Sequence, residues 1–158
     1  MATIKRTAAR YGQFGGFSPY GNMTVLTYAL ATNAIGAVID SDSVAAIAAG
    51  DVIDLGELPQ GMRLDDAQVI VSTGMSASVT GKLGFKYSDG VDSTDVPEDD
   101  AYFVNAGDLA TAGRIRAAGS KLLTLPKSAR LILTIAGAAN AKVSDLNVVV
   151  TGELKGPR

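Results

Sequence analysis

Cysteine, histidine and tryptophan are absent from the 158 residues. Without cysteine there is no disulfide and no thiol nucleophile. Without histidine there is no Ser-His-Asp triad, no ordinary zinc site and no side chain that titrates near neutral pH unperturbed. Carboxylates and lysines remain, which leaves paired-carboxylate chemistry as the catalytic reading to test. The adjacent pairs Asp65-Asp66 and Asp99-Asp100 suit it poorly, because neighbours in a strand point to opposite faces and neighbours in a loop are solvated. The chain reads as non-enzymatic, with no catalytic, cofactor or metal site. Long apolar runs are missing as well: hydrophobic residues make up 47% of the sequence, yet no stretch approaches the ~20 apolar residues of a membrane-spanning helix. Met1 to Arg10 carries Lys5, Arg6 and Arg10 with no apolar block behind them, so a secretory signal is not expected and synthesis in a cytoplasm is.

Charge of either sign is also in short supply overall. Fourteen Lys and Arg against sixteen Asp and Glu leave a net charge of -2, which argues against nucleic acid as a partner. The distribution is uneven, however. The first 22 residues hold three basic groups and no acid, whereas Tyr87 to Asp108 holds Asp89, Asp92, Asp95, Glu98, Asp99, Asp100 and Asp108 and no base. Opposite patches on one small chain favour contact with copies of itself or with a complementary protein surface. Arg114, Arg116 and Lys121 add a weaker basic cluster, read the same way.

What is present is a strand pattern behind a glycine-rich start. In residues 1–22, Tyr11, Phe14, Phe17 and Tyr20 recur every third position among Gly12, Gly15, Gly16, Pro19 and Gly21. Glycine and proline at that density oppose a helix, while four aromatics bring ~150 Å² or more of surface each, which a merely disordered tail rarely carries. The expectation is an extended arm over 1–22 that orders by lying on something, whether a partner or its own domain. Its contact residues are Lys5, Arg6, Arg10, Tyr11, Phe14, Phe17 and Tyr20. Gly12-Gln13-Phe14-Gly15-Gly16 neither follows a strand nor opens a helix, so it is not a phosphate cradle.

Residues 23–158 read as one β domain. Leu26, Tyr28 and Leu30 alternate with small residues. Ser43 to Ala49 has a capping residue at its start and Gly50 at its end, predicting a short helix. Val52 to Leu55 leads into the turn Leu58-Pro59-Gln60-Gly61, and a strand follows from Met62 to Ser72. Val79, Gly81, Leu83, Phe85 and Tyr87 share one face of the next strand, Ser88-Asp89-Gly90 turns it, and the acidic stretch leads to Ala101–Val104. Residues 108–118 read as loop or weak strand. Lys121–Leu125, Ala129–Ala136 and Asp145–Leu154 close the chain, the last with Leu146, Val148, Val150, Gly152 and Leu154 on one face. Seven or eight strands with short turns predict an all-β fold, an antiparallel sandwich or jelly roll. Asp89, Asp92 and Asp95 could offer oxygen ligands to calcium, but their spacing is not that of an EF-hand, and a solvated loop is the simpler reading.

Three stretches, Gly50 to Met62 (GDVIDLGELPQGM), Gly84 to Gly90 (GFKYSDG) and Asn147 to Gly152 (NVVVTG), resemble the small capsid cement, or decoration, proteins of tailed bacteriophages. The resemblance spans about residues 50 to 154 and leaves the first 22 aside. It implies a jelly roll that sits on the outer surface of a virion's head shell as a dimer or trimer. Its partners would then be the major capsid protein and itself, its role the reinforcement of joints between capsomers. The competing reading is a carbohydrate-binding jelly roll of a phage tail or adhesion apparatus, which would present exposed aromatics for stacking on sugars.

Overall fold

The computed structural model describes residues 1–5, 23–119 and 121–154. Among them are ten strands and no helix. In order these are β1 (Thr3–Lys5), β2 (Met23–Thr32), β3 (Val52–Leu58), β4 (Met62–Thr73), β5 (Thr80–Tyr87), β6 (Asp99–Asp108), β7 (Gly113–Arg116), β8 (Leu123–Thr124), β9 (Ala129–Ala136) and β10 (Ser144–Leu154). They form two sheets. The first runs β1-β3-β9-β5-β6; the second runs β2-β10-β4-β7, with β8 also on β4. Every pairing is antiparallel except β1 on β3.

The period-2 pattern decides which faces meet. In β10, Leu146, Val148, Val150 and Leu154 are buried while Asp145, Asn147, Val149, Thr151 and Glu153 face outward. In β5, Leu83, Phe85 and Tyr87 turn inward beside Gly81. These residues meet Leu26, Leu30, Leu64, Val69, Leu131 and Leu133 in one continuous core between the sheets. A fully buried aliphatic side chain contributes about 1.5–3 kcal/mol relative to exposure, so alternation sustained along these strands fixes which face turns inward, while bulges shift the register locally.

Two expectations change. The helix over 43–49 is not formed: Ala46 bridges Ala37, the Ile47 N–H donates to the Gly36 carbonyl, and the Ser43 side chain accepts from the Ala45 N–H. Seven residues are too few to sustain a helix alone, and here their backbone groups find partners across the fold. The strand count rises to ten because β1 and β7 are too short to show a period in the sequence. Ile4 of β1 is nonetheless buried against the core, and β7 is held by four register pairs to β4.

The lateral order of the strands gives the sandwich two distinct sides. Tyr28 of β2 lies on β3: a Cβ built on Gly56 would sit 2.6 Å from the Tyr28 ring, and the Tyr28 hydroxyl donates to the Glu57 carbonyl at 2.6 Å. The edge strands β1 and β2 therefore share one side of the sandwich. On the opposite side β6 meets β7, where Gly107 lets the Ile115 side chain approach.

Candidate assembly surfaces

Of the arm residues singled out in the sequence, Arg6, Arg10, Tyr11, Phe14, Phe17 and Tyr20 lie outside the described residues. Lys5 is exposed at the end of β1. Its N–H donates to the Asp42 carboxylate and its carbonyl accepts from the Asp42 N–H, both at 2.9 Å. Ahead of it, the Ala2 N–H donates to the Asp51 carboxylate at 2.8 Å. The first five residues are thus part of the sandwich. The aromatic segment is bounded on both sides by edge strands, β1 before it and β2, beginning at the exposed Met23, after it.

An apolar surface that periodicity does not reveal stands at the end of the sandwich where β2 finishes and β10 begins. Ile35, Ile39, Val44 and Val143 are 59%, 45%, 89% and 53% exposed. They ride on loops that are held firmly. Asn140, fully buried, accepts from the Ser76 N–H at 3.0 Å and the Ser76 hydroxyl at 3.3 Å, and it donates to Thr32 Oγ1 at 3.1 Å and the Lys142 carbonyl at 2.9 Å. Thr32 Oγ1 in turn accepts from the Ser144 N–H at 2.8 Å. Gly36 fits because its backbone passes against Asn140, where a Cβ would fall 2.1 Å from the carbonyl oxygen; its φ of +83° also favours glycine. Large aliphatics exposed on hydrogen-bonded loops are the side chains an apolar partner would cover. The sequence signal was the apolar run Ala34 to Ile39 without the alternation of a strand.

The acidic stretch folds on itself. The Asp92 carboxylate caps the N–H groups of Ser93 and Glu98, both at 2.7 Å, and Glu98 accepts from the Tyr87 N–H at 2.8 Å. Lys127 pairs with Asp89 at 2.8 Å and stands over the Tyr87 ring, 4.6 Å from its centroid. The hydrogen bond from Lys127 holds the Asp89 carboxyl below its ordinary range. Among the described residues no three carboxylates converge on a point where a cation could sit. Beside this loop lies a cleft of about 580 Å³, floored by Val96, Leu123 and Tyr102 and rimmed by Asp95 and Asp99.

Of the basic cluster, Arg116 alone forms an ion pair among the described residues. Arg116 pairs with Asp66, and Arg114 donates to the Gln68 side chain at 3.2 Å. Arg63 bridges Asp65 and Glu153 on the same outer face. The Asp65-Asp66 pair is committed to these cations and to the Ala67 N–H, an arrangement that organises the sheet surface and is worth little individually. As for sugar stacking, the described aromatics Tyr28, Phe85, Tyr87, Tyr102 and Phe103 are all buried or half-buried. Tyr102 packs edge to face on both Phe85 and Phe103, at 5.7 and 4.8 Å between ring centroids.

No protein-family model and no curated protein matches the sequence. Solved structures do share its fold. A chain in the capsid of Ralstonia phage GP4 superposes with a TM-score of 0.69 at 16% identity, covering 99% of both chains. One in the capsid asymmetric unit of cyanophage Pam1 gives 0.58 at 17% identity, over 93% of this chain and 94% of that one. One in the acid-stable capsid of Helicobacter pylori bacteriophage KHP30 gives 0.51 at 15% identity, over 85% and 94%. At such identities the likeness is one of fold.

Proposed function

We propose that the chain is a non-enzymatic structural protein of a bacteriophage virion, a cement or decoration protein that binds the outer surface of the capsid and stabilises it. The observation that carries this reading is the end-to-end likeness to a chain of the GP4 capsid, which follows the whole sandwich rather than one motif. The physical chemistry agrees with it. The chain lacks histidine and cysteine, its acidic pairs are engaged in ion pairs and caps, and it offers a rigid apolar end instead of a reactive cleft. Its partners in this reading are the major capsid protein and other copies of itself. Ile35, Ile39, Val44 and Val143 provide the apolar contact with the shell. Each contact can be modest, because copies fixed by the symmetry of a shell, and linked to one another, bind with the avidity of the set.

The test is co-sedimentation of the purified full-length chain with heads from which it has been stripped, beside proteomics of intact virions. The chain should be present in virions at a fixed ratio to the major capsid protein. The double variant Ile35→Asp/Val44→Asp should keep its urea midpoint, since both side chains are exposed, and should bind at least about tenfold more weakly, because burying a charge where an aliphatic group docked costs well over the ~1.4 kcal/mol of one decade. Absence from virions, or a double variant that binds like the parent, would overturn the proposal.

A further inference from the structure

The cleft beside the acidic loop combines an apolar floor with a rim that carries both signs of charge. We propose that it binds a neutral oligosaccharide, at a site independent of the contacts that hold the chain to a shell.

At about 580 Å³ the cleft falls within the ~300–1,000 Å³ of small-molecule sites. Through Asp95, Val96 and Thr124 it runs on into a second hollow of about 320 Å³, lined also by Gln60, Leu125 and Pro126. The two form one elongated groove, which suits a short run of linked rings better than a single one. Its floor includes the half-buried Tyr102 ring, with Val96 and Leu123. That ring is held by edge-to-face contacts with Phe85 and Phe103, and by its hydroxyl, which donates to the Lys121 carbonyl at 2.6 Å. A ring already fixed loses little freedom when a ligand lies on it, so its apolar area is offered at low entropic cost.

The rim decides the class of ligand. Asp95, Asp99 and Lys121 line the cleft, and among the described residues none of the three has an ion-pair partner. Asp99 Oδ1 accepts from the Ala101 N–H at 2.9 Å, leaving its second oxygen, and Glu98 is engaged by the Tyr87 N–H at 2.8 Å. A cationic segment such as residues 6–22, with Arg6 and Arg10, would meet Lys121 beside the acids, and a polyanion would meet the two carboxylates. Either like-charge contact costs free energy. A wholly apolar ligand would strip water from all three charged groups and replace none of its hydrogen bonds. A neutral ligand with an apolar face and a fringe of hydroxyls satisfies every group. Its C–H face lies on the Tyr102 ring, its hydroxyls donate to Asp95 and Asp99, and one of its oxygens accepts from Lys121. That is the chemistry of a pyranose.

The test reads the labelled full-length chain over an array of neutral and charged oligosaccharides, followed by isothermal titration with the best-bound neutral one at about 50 and about 500 mM NaCl. The expected result is a neutral hit whose affinity changes less than about twofold with salt, because screening leaves an uncharged ligand unaffected. Asp95→Asn and Lys121→Ala, both at exposed positions, should keep the urea midpoint and each weaken binding at least about fivefold, the size expected for a hydrogen bond to a charged group. Tyr102→Leu should abolish binding, and if it also lowers the urea midpoint the two rim variants decide. Val143→Ser, outside the cleft, should bind like the parent. A cleft already filled by segment 6–22 or by a second copy would show itself before sugar is added. The amide signals of Leu122 and Thr124 in the isotope-labelled chain would then shift in the full-length Phe14→Ser/Phe17→Ser variant or on dilution. That shift, no neutral hit, binding indifferent to both rim variants, or a stably folded Tyr102→Leu chain that still binds would each overturn the proposal.

Discussion

Replacing Asn140 tests whether the apolar end of the sandwich is held by its buried polar hub. Asn140→Ala removes four hydrogen bonds at once, two accepted from Ser76 and two donated to Thr32 Oγ1 and the Lys142 carbonyl. Each is worth about 0.5–1.5 kcal/mol net, and an orphaned buried partner costs about 1–3 kcal/mol. Thr32 Oγ1 keeps its bonds to Ser144 and the Lys142 carbonyl keeps the Thr32 hydroxyl as donor, so no partner but Ser76 loses its last bond, and the four net contributions sum to about 3 kcal/mol. That is a large share of the ~5–15 kcal/mol that holds a domain folded. Asn140→Asp separates shape from chemistry. It keeps the acceptor toward Ser76 but turns an oxygen toward the Lys142 carbonyl and buries a charge, so at pH 7 it should be at least as damaging as alanine. Burial raises the pKa of such a carboxyl, and the protonated form can donate again. The aspartate variant should therefore recover relative to the parent as pH falls toward 5, whereas alanine should not. The assay is urea unfolding followed by circular dichroism at pH 7 and pH 5. An alanine variant within about 1 kcal/mol of the parent, or an aspartate variant with no recovery on acidification, would refute the account of the hub.

Gly56→Ala should destabilise by about 2–3 kcal/mol, because its Cβ would meet the Tyr28 ring at 2.6 and 2.8 Å and that ring is anchored by its hydroxyl on Glu57; overpacking of this kind has that size. An unchanged urea midpoint would show that the ring can slide away. Tyr28→Phe should cost about 1–2 kcal/mol at pH 7, chiefly from leaving the Glu57 carbonyl without its donor. Burial, only partly offset by Arg130, pushes the Tyr28 phenol well above its ordinary value. A raised folded-state value stabilises below the unfolded value of about 10 and loses that stabilisation as pH climbs past it. The gap between parent and Tyr28→Phe should accordingly narrow above pH 10, and urea midpoints at pH 7, 10 and 11 that keep the gap constant would contradict it.

Much of the sandwich is legible in the chain because burial on one face and solvent on the other leave a period of two. The inward sets of β5 and β10 can be named residue by residue from that period alone. Where the element is shorter than its own pattern, the signal fails: β1 and β7 owe their existence to β3 and β4 beside them. Residues 43–49 carry local helix signals at both ends, yet partners from 36–37 and from Asn140 outcompete them, because a single turn of helix gains too few bonds to stand alone. The candidate surfaces divide in the same way. Composition removes histidine and cysteine chemistry, and the segregation of basic aromatic residues from acidic ones points to contact with other copies or with a complementary surface. Neither says that Ile35, Ile39, Val44 and Val143 are left exposed on loops, or that Arg63 meets Glu153 and Arg116 meets Asp66 across strands.

Composition and short-range periodicity thus account for the class of fold, the inward faces of the longer strands and the absence of histidine and cysteine chemistry, all of which can be read along the chain. Which sides of the sandwich the edge strands occupy, where the cleft opens and how the apolar loops are held rigid are settled only in three dimensions. Each depends on residues that are distant in sequence and meet on folding, as Thr32 and Asn140 do at a separation of 108.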